Sequence, residues 1–449
     1  MYKNSFRLFT NISKYSAEQL FMISMAISPL FLLTVAGWMT RILAVCALLA
    51  IYVLYKNRNQ EKQNGLAVNS KTKRDIKLLC ISLALPLLGT FLAQSFRGQY
   101  TWAYYDSPTH ILICALILLA ILKNNTKTGG HVVELMSYTL PITTLLALAN
   151  ILSHPNLHWT ANRLSTQAVD PLAFGSLSLT LGLLSLISIK LHSKHSKLLI
   201  LYKMLGFCVG IYLSIVSGSR TGWLALPIVG LIWIYFEHVK FTFATKIFAI
   251  LGILTIVSSS YFLSANVHQR IDASIQETVS YQWNAPKSSP NPDTSVGARI
   301  SFARMAVFLL LEKPLSGWGD GSFQSLINDP ALDFAVMSTK MTALTAGFHN
   351  EITANVVRSG IWGLISSVAL FLMPALFFIR NMRSKQQMQR NVAFMALAFL
   401  TCQFVSSLSM ELLNLRYAAS FYGLMIAIFC GQILFYSVNN TTDSNGKTR

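Results

Sequence analysis

The feature that most constrains the fold of this chain is a series of twelve apolar runs along its 449 residues. A helix needs about 20 mostly apolar residues to cross a bilayer, and most of the runs approach that length. Only 12% of the residues are charged, whereas a soluble domain has about 25%. These observations exclude a soluble globular enzyme and predict an all-α polytopic membrane protein with about 12 transmembrane helices. The runs cover 18–36, 38–55, 78–95, 109–122, 133–152, 172–190, 198–216, 222–236, 246–263, 357–379, 391–409 and 417–436.

The positive charges predict how these helices are oriented. With the N-terminus inside, the cytoplasmic segments hold 23 of the 36 Lys and Arg residues, and the outside segments hold 12. Short cytoplasmic loops are enriched in such residues, so both termini are predicted to be cytoplasmic. The formal charge of +19 would suggest a nucleic-acid partner in a soluble chain. Here it follows from topology, so we expect membrane lipids and no nucleic acid as partners.

One predicted outside segment, residues 264–356, is far longer than any other connection. Loops longer than about 15 residues are usually functional or disordered, and this one holds eight of the seventeen acidic residues. A helix is predicted at about 298–312, ended by Lys313 and Pro314. The chain is thus predicted to have three parts, namely 1–263 with nine transmembrane helices, the loop 264–356, and 357–449 with three helices and a short cytoplasmic tail.

Two arginines lie in short predicted outside loops. Arg220 stands in residues 217–222, which join two spans almost directly and so hold its guanidinium at the membrane surface. Arg can bind phosphate through two parallel hydrogen bonds, and nearby glycines allow a ligand to approach the backbone. Arg163 is the only Lys or Arg between residues 153 and 171. The alternatives are an interfacial Arg that extends to the lipid headgroups and, for Arg163, a solvated loop charge.

Three further charged residues occupy informative positions. Arg299 and Arg304 lie on the predicted loop helix, and their spacing of five does not place them on one face. They therefore need not have the same role, and the alternative for both is an amphipathic helix resting on the bilayer surface. Asp106 caps the start of a predicted span.

His349 closes the long loop and is followed by Asn350 and Glu351. A His side chain accepts a proton near neutral pH, and a neighbouring carboxylate or amide can hold its ring. His349 is therefore a candidate general base, with Asn350 or Glu351 fixing the ring and Glu351 as the reserve base. The alternative is a structural or solvated His. No phosphate-binding loop, dinucleotide fingerprint, zinc pattern or Ser-His-Asp elbow is found, so no metal and no cofactor is expected.

Three motifs, in this order, resemble the O-antigen ligase / O-antigen polymerase superfamily. Residues 217–224 (SGSRTGWL) resemble its SxSRxxWL signature. Arg299 and residues 314–323 (PLSGWGDGSF) resemble its R…PLxGxGxGxF element, and residues 349–364 (HNEITANVVRSGIWGL) resemble its HNxxLxxxxxxGxxGL element. The twelve runs and the long loop before the third-last run agree with the family. Arg358, just before Ser-Gly, departs from the family pattern.

The resemblance implies a fold similar to the membrane glycosyltransferases of the C type, with glycosyl transfer at the periplasmic face of the bacterial inner membrane. The donor would be a glycan on undecaprenyl diphosphate, the acceptor of a ligase would be lipid A–core, and the reaction would be metal-independent. Arg163 and Asp106 stand where the family carries an Arg and a D-x-P. Arginines can stabilise a charged leaving group without a metal, so the expected diphosphate-binding residues are Arg163, Arg220 and Arg299.

In such a reaction His349 and Arg220 would be the catalytic residues, with His349 as the base for the acceptor hydroxyl. A single displacement at the anomeric carbon would invert its configuration. Supporting roles would fall to Asp106, Asn350, Glu351 and Arg304.

Two alternatives to this function remain at the level of the sequence. The first keeps the chemistry and changes the acceptor, as in a polymerase of glycan repeats or a protein O-oligosaccharyltransferase. The short segment of about 13 residues after the last run mildly disfavours the latter. The second is a transporter or lipid flippase, which predicts ionisable residues at mid-membrane depth. The predicted spans are nearly free of charge at their centres, which favours surface chemistry.

Overall fold

The computed structural model describes residues 16–58, 70–123, 131–154, 159–160, 163–192, 196–219, 221–236 and 265–446. Within these ranges the regular structure is helical, apart from one antiparallel pair of two-residue strands, β1 (Trp159–Thr160) and β2 (Arg163–Leu164). The α-helices are α1 (Ala17–Ala26), α2 (Trp38–Lys56), α3 (Ser70–Arg97), α4 (Asp106–Lys123), α5 (Val132–Ser153), α6 (Pro171–Ile187), α7 (Lys197–Val216), α8 (Ala225–Phe236), α9 (Ala265–Val279), α10 (Ser295–Glu312), α11 (Met337–Thr345), α12 (Glu351–Asn381), α13 (Gln387–Ser407) and α14 (Arg416–Gly446).

Single 3₁₀ turns connect several of these helices. They are Trp102–Tyr105, Ser188–Leu191, Thr221–Leu224, Gln324–Leu326, Pro330–Leu332 and Leu412–Asn414.

Eight described helical segments have both the length and the apolar composition that a membrane span requires. They lie in α2, α3, α4, α5, α6, α7, α12 and α14, and Thr221–Phe236 forms a shorter apolar helix. The prediction of an all-α polytopic membrane protein is therefore confirmed. The number of twelve spans stays a prediction. The run 246–263 lies outside the described residues, and the helices in the runs 18–36, 222–236 and 391–409 are not among the eight.

Helices α14 and α6 form the centre of the bundle. In the most apolar 18-residue stretch of each helix, 94% of the residues of α14 and 78% of those of α6 are buried inside the protein. The same fraction is 33% in α2, α3 and α7, which leave one side for lipid. Small residues allow helices in a bilayer to approach closely. Such an approach joins α6 and α7, because a Cβ added at Gly210 would lie only 2.6 Å from the Ser178 carbonyl oxygen.

The first apolar run, 18–36, does not form one continuous helix. Helix α1 ends at Ala26 and is followed by successive turns up to residue 37. Pro29 has no N–H and cannot continue a helical hydrogen-bond ladder. Side chains of α5 donate to carbonyls of this stretch, since Thr139 Oγ1 donates to Ala26 O at 2.8 Å and Thr143 Oγ1 donates to Pro29 O, which also accepts from Leu32 N, at 3.1 Å. Irregular backbone at membrane depth is tolerated when protein groups satisfy it in this way.

The polar connections of the bundle converge at one end, which we call the site end. Helices α4 and α14 begin there side by side, because Asp106 forms an ion pair with Arg416. Helix α13 ends beside the start of α12, where Asn350 Nδ2 donates to Leu408 O at 3.2 Å. Helix α3 also ends there, and its last residue, Arg97, contacts the long loop.

The segment from α9 to His349 packs on the site end with an apolar core of its own. Side chains of α10, of the turn after it and of α11 meet in this core, which is separate from the core of the bundle. Its buried members include Phe302, Met305, Trp318, Phe323 and Phe348. The long loop is therefore an ordered cap within the described residues.

Candidate functional site

The glycine-rich turn at residues 314–321 docks on α12 by direct backbone contact. Helix α12 breaks at Gly360, whose φ of 59° and ψ of −142° are not helical. A Cβ added at Gly360 would lie 2.2 Å from Pro314 O, and one at Gly317 would lie 2.5 Å from Arg358 O. Only glycine therefore fits at either position. The motif glycines of the two elements hold the cap and the helix together.

We expect Gly360→Ala to lower the melting temperature of the purified protein strongly. The added methyl group would collide with Pro314 O, and a left-handed backbone costs a non-glycine residue about 1–2 kcal/mol. Gly98→Ala is the matched control, because Gly98 has a φ of 71° but nothing within 4 Å of an added Cβ. Thermal unfolding in detergent measures both variants, and equal melting temperatures would contradict a role for this backbone contact.

Arg358 is the centre of a polar network at the site end. Its Nε donates to Asp320 Oδ1 at 2.8 Å, and its Nη1 donates to Asn355 Oδ1 at 2.9 Å and to Asn414 Oδ1 at 3.0 Å. Its Nη2 donates to Glu411 Oε2 at 3.1 Å. The guanidinium thus joins the glycine-rich turn, α12 and the connection between α13 and α14. From the sequence, Arg358 stands out only as a departure from the family pattern, and neither Glu411 nor Asp320 is predicted as a site residue.

Arg97 and Tyr104 brace the same turn from the connection between α3 and α4. Arg97 Nη1 donates to Ser316 O at 2.8 Å and to Arg358 O at 3.3 Å. Tyr104 Oη accepts a hydrogen bond from the backbone N–H of Asp320 at 3.3 Å. Both side chains therefore fix the position of the cap.

His349 lies in a strained turn just before α12. Its φ of 50° is the only positive value among the described non-glycine residues, and Gly347 beside it has a φ of 85°. The half-buried imidazole packs on the Phe302 ring with 5.9 Å between centroids. Among the described residues no hydrogen bond reaches either ring nitrogen. Strained backbone at a polar site is a reason to look for function there.

The two residues after His349 have other partners. Asn350 caps α12, because its Oδ1 accepts from the backbone N–H groups of Ile352 and Thr353 at 2.9 and 3.1 Å. The Glu351 carboxylate is buried and accepts from Leu413 N at 2.9 Å and from Asn355 Nδ2 at 2.9 Å. It faces a cavity of about 40 Å³ between α3 and α12. Neither side chain is hydrogen-bonded to the His349 ring.

The two arginines of α10 have different surroundings. Arg304 is held by aromatic rings, with its Cζ 3.8 Å from the centroid of Phe334 and 5.4 Å from that of Trp283, and it donates to Tyr281 Oη at 3.3 Å. Arg299 is exposed and has no ion pair or hydrogen bond within the described part of the chain. It lies three residues before Phe302, hence on the helix face that contacts His349.

Arg163 lies beside the 217–224 motif. A Cβ added at Gly218 would lie 3.8 Å from Arg163 Cγ and 3.9 Å from its Nε, so the Arg163 side chain passes close to this glycine. Ser217 and Ser219 of the motif are buried against α6. Arg220 itself lies outside the described residues. The exposed Arg163 has no ion pair or hydrogen bond in the ranges that the structure covers.

Two aspartates organise the beginnings of helices at the site end. Asp106 begins α4 and pairs with Arg416 and, at 3.6 Å, with His110 Nε2. Asp170 caps α6 and accepts a hydrogen bond from Tyr417 Oη at 2.7 Å. Both carboxylates therefore tie neighbouring helices to α14.

Three of the predicted residues that the structure describes lie in two places at the site end. His349 packs on the face of α10 that carries Arg299, and Arg163 lies beside Gly218 of the 217–224 motif. Helix α13 connects these two places, because it packs on α6 and on the turn at Thr221–Leu224 and ends beside Asn350. In the described ranges, no group of three or more His, Cys, Asp or Glu side chains is placed to hold a metal ion.

The fold and the site define a polytopic membrane protein with a polar site at one end of its helix bundle. Residues 205–368 match the family model described as O-antigen ligase. This match confirms the resemblance to the O-antigen ligase superfamily, and it spans the 217–224 motif, Arg299 and His349. The chain is also 27% identical over 191 residues to an uncharacterized protein of Haemophilus influenzae. That alignment covers 41% of this chain and 45% of the relative, which is less than half of either protein.

Proposed function

We propose that this protein transfers a glycan from undecaprenyl diphosphate to lipid A–core at the periplasmic face of the bacterial inner membrane. The observation that carries the proposal is the family match over 205–368. The matched segment contains the 217–224 motif, Arg299 and His349, whose ring packs on Phe302 three residues after Arg299. A site at one end of a membrane bundle suits substrates that are themselves anchored in lipid.

Three arginines are proposed to bind the donor diphosphate. Arg163 and Arg299 are exposed and have no protein partner among the described residues, so their guanidinium groups are free for a ligand. Arg358 and Arg304, by contrast, are occupied by protein groups. Arg220, two residues after Gly218 in the sequence, would complete the set. Guanidinium groups bind phosphate oxygens through paired hydrogen bonds, and they stabilise the charge that develops when the diphosphate leaves.

His349 is proposed as the general base. Its ring nitrogens have no hydrogen-bonding partner among the described residues, so one of them can accept the proton of the acceptor hydroxyl. The hydroxyl oxygen then bonds to the anomeric carbon, while the bond from that carbon to the diphosphate oxygen breaks and its electron pair stays on undecaprenyl diphosphate. A single displacement of this kind inverts the anomeric configuration. Glu351 is too enclosed to take the proton directly.

The topology of the proposal follows from the positive charges. The site end carries the outside loops, and the opposite end carries the segments rich in Lys and Arg. We place the site end in the periplasm and both termini in the cytoplasm.

The identity of the acceptor distinguishes the proposed ligase from a polymerase and from a protein O-oligosaccharyltransferase. A reconstituted assay would offer the purified protein one glycan donor together with lipid A–core, a second lipid-linked glycan and an acceptor peptide. We expect the glycan to be attached to lipid A–core. Products that contain only lengthened lipid-linked glycan would instead indicate a polymerase, and a glycosylated peptide would indicate a protein O-oligosaccharyltransferase.

A further inference from the structure

A cavity of about 260 Å³ opens between the glycine-rich turn, the end of α11 and the start of α12. Its walls include Asp320, Gly321, residues 343–348, Arg358 and Glu411. Phe348 forms part of the wall, and His349 is the next residue along the chain. The cavity is not used by the arginines that are proposed to bind the diphosphate.

The lining of this cavity is rich in hydrogen-bond acceptors. The carboxylates of Asp320 and Glu411 outnumber the one guanidinium, that of Arg358. Asp320 is half exposed, and its Oδ2 has no partner among the described residues. Helix α11 also ends here, and the last carbonyls of a helix have no partner within it. Leu344 O, for example, lies 3.5 Å from the Cβ position of Gly321.

This chemistry selects the kind of ligand. An excess of carboxylates and carbonyls repels a diphosphate, whereas it suits a group that presents several hydroxyl donors. Pockets for drug-sized ligands measure about 300–1,000 Å³, so this slightly smaller volume fits about one sugar ring. The apolar residues Phe323 and Phe348 also line the cavity, and apolar lining suits the C–H groups of such a ring.

We propose that this cavity is the subsite for the terminal sugar of the acceptor, with Asp320 accepting hydrogen bonds from its hydroxyl groups. The inference rests on the proposed glycosyl transfer and extends it to the recognition of the acceptor. The wall residue Phe348 immediately precedes His349 in the chain, so a sugar bound there would lie close to the segment that carries the proposed base.

Filling the cavity tests the inference. The Ala346 side chain is exposed at the cavity mouth, so Ala346→Phe blocks the space without altering the Arg358 network. The probe is the core oligosaccharide released from rough lipopolysaccharide, with its binding to reconstituted protein followed by saturation-transfer NMR. We expect loss of oligosaccharide binding and, in transfer assays with lipid A–core, a KM for the acceptor at least tenfold higher with kcat and donor binding within twofold. Asp320→Asn should weaken binding in the same direction.

Ala331→Phe is the matched control, because Ala331 is exposed on the same cap but does not line the cavity. It should leave binding and KM within twofold of the unaltered protein. Oligosaccharide binding that survives both Ala346→Phe and Asp320→Asn would overturn the subsite, as would displacement of the oligosaccharide by Ca²⁺ alone. If the unaltered protein binds the oligosaccharide in this cavity but transfers nothing, the subsite stands and the proposed glycosyl transfer fails.

Discussion

Replacing His349 is expected to lower glycan transfer by about 10²–10⁴-fold, the usual contribution of a general base, while donor binding stays largely intact. The binding of the donor is proposed to depend on guanidinium groups, whereas the His349 imidazole is the group proposed to take the proton of the acceptor hydroxyl. Transfer and donor binding should be measured separately on purified His349→Ala, with EDTA present.

The backbone of residue 349 requires a second variant. His349 has a φ of 50°, so alanine introduces strain in addition to removing the imidazole. Asn adopts this conformation more readily than most residues, and His349→Asn therefore removes the base with less strain. His268→Ala, on α9, serves as the control. Unchanged transfer in both variants at position 349 would remove His349 from catalysis, and lost donor binding would make it a ligand of the donor instead.

The second large effect is expected at Arg220. Loss of one group that stabilises a developing negative charge typically costs about 10²–10³-fold in rate, so Arg220→Ala should impair transfer by this amount and weaken donor binding as well. Arg220→Lys keeps the charge but loses the planar fork that binds two phosphate oxygens. We therefore expect Arg220→Lys to be impaired too.

The same pair of changes at Arg163 and Arg299 tests whether the three arginines act together. Arg383→Lys is the control, because Arg383 is exposed at the opposite end of the bundle. Near-normal transfer by both Arg220 variants, at equal protein level, would contradict a role for this residue in diphosphate binding.

The class of fold could be predicted from the sequence because apolar runs long enough to cross a bilayer seldom occur outside transmembrane helices. The bounds of the helices were harder to predict. Helix α12 begins at Glu351, six residues before the apolar run at 357, because Asn350 caps it. The helix in the run 18–36 ends at Ala26. Pro29 cannot continue the helical hydrogen bonds, and side chains from α5 donate to carbonyls of this stretch instead.

The network around Arg358 could not be predicted because its members come from distant parts of the chain. Asp320, Asn355, Glu411 and Asn414 converge on one guanidinium only after the cap has docked on the bundle. An arginine at the start of an apolar run was the one available signal, since such a charge is costly at a membrane span without partners. The motif glycines were visible in the sequence, but their role in backbone contact depends on the break at Gly360.

The surroundings of Arg304 could not be predicted for the same reason. Its spacing from Arg299 indicated that the two side chains face different ways, and only Arg304 is enclosed by aromatic rings. Those rings belong to residues 281–334 on other elements of the cap, so no local pattern around Arg304 identifies them.

The most direct test of glycosyl transfer from a lipid diphosphate is a stoichiometric measurement on the purified protein in lipid vesicles. The assay supplies a glycan on undecaprenyl diphosphate and lipid A–core, contains EDTA, and quantifies both products. The account predicts that one molecule of undecaprenyl diphosphate is released for each glycan attached to lipid A–core, at a rate that EDTA does not change. Release without attachment, absence of both products, or transfer abolished by EDTA would contradict it.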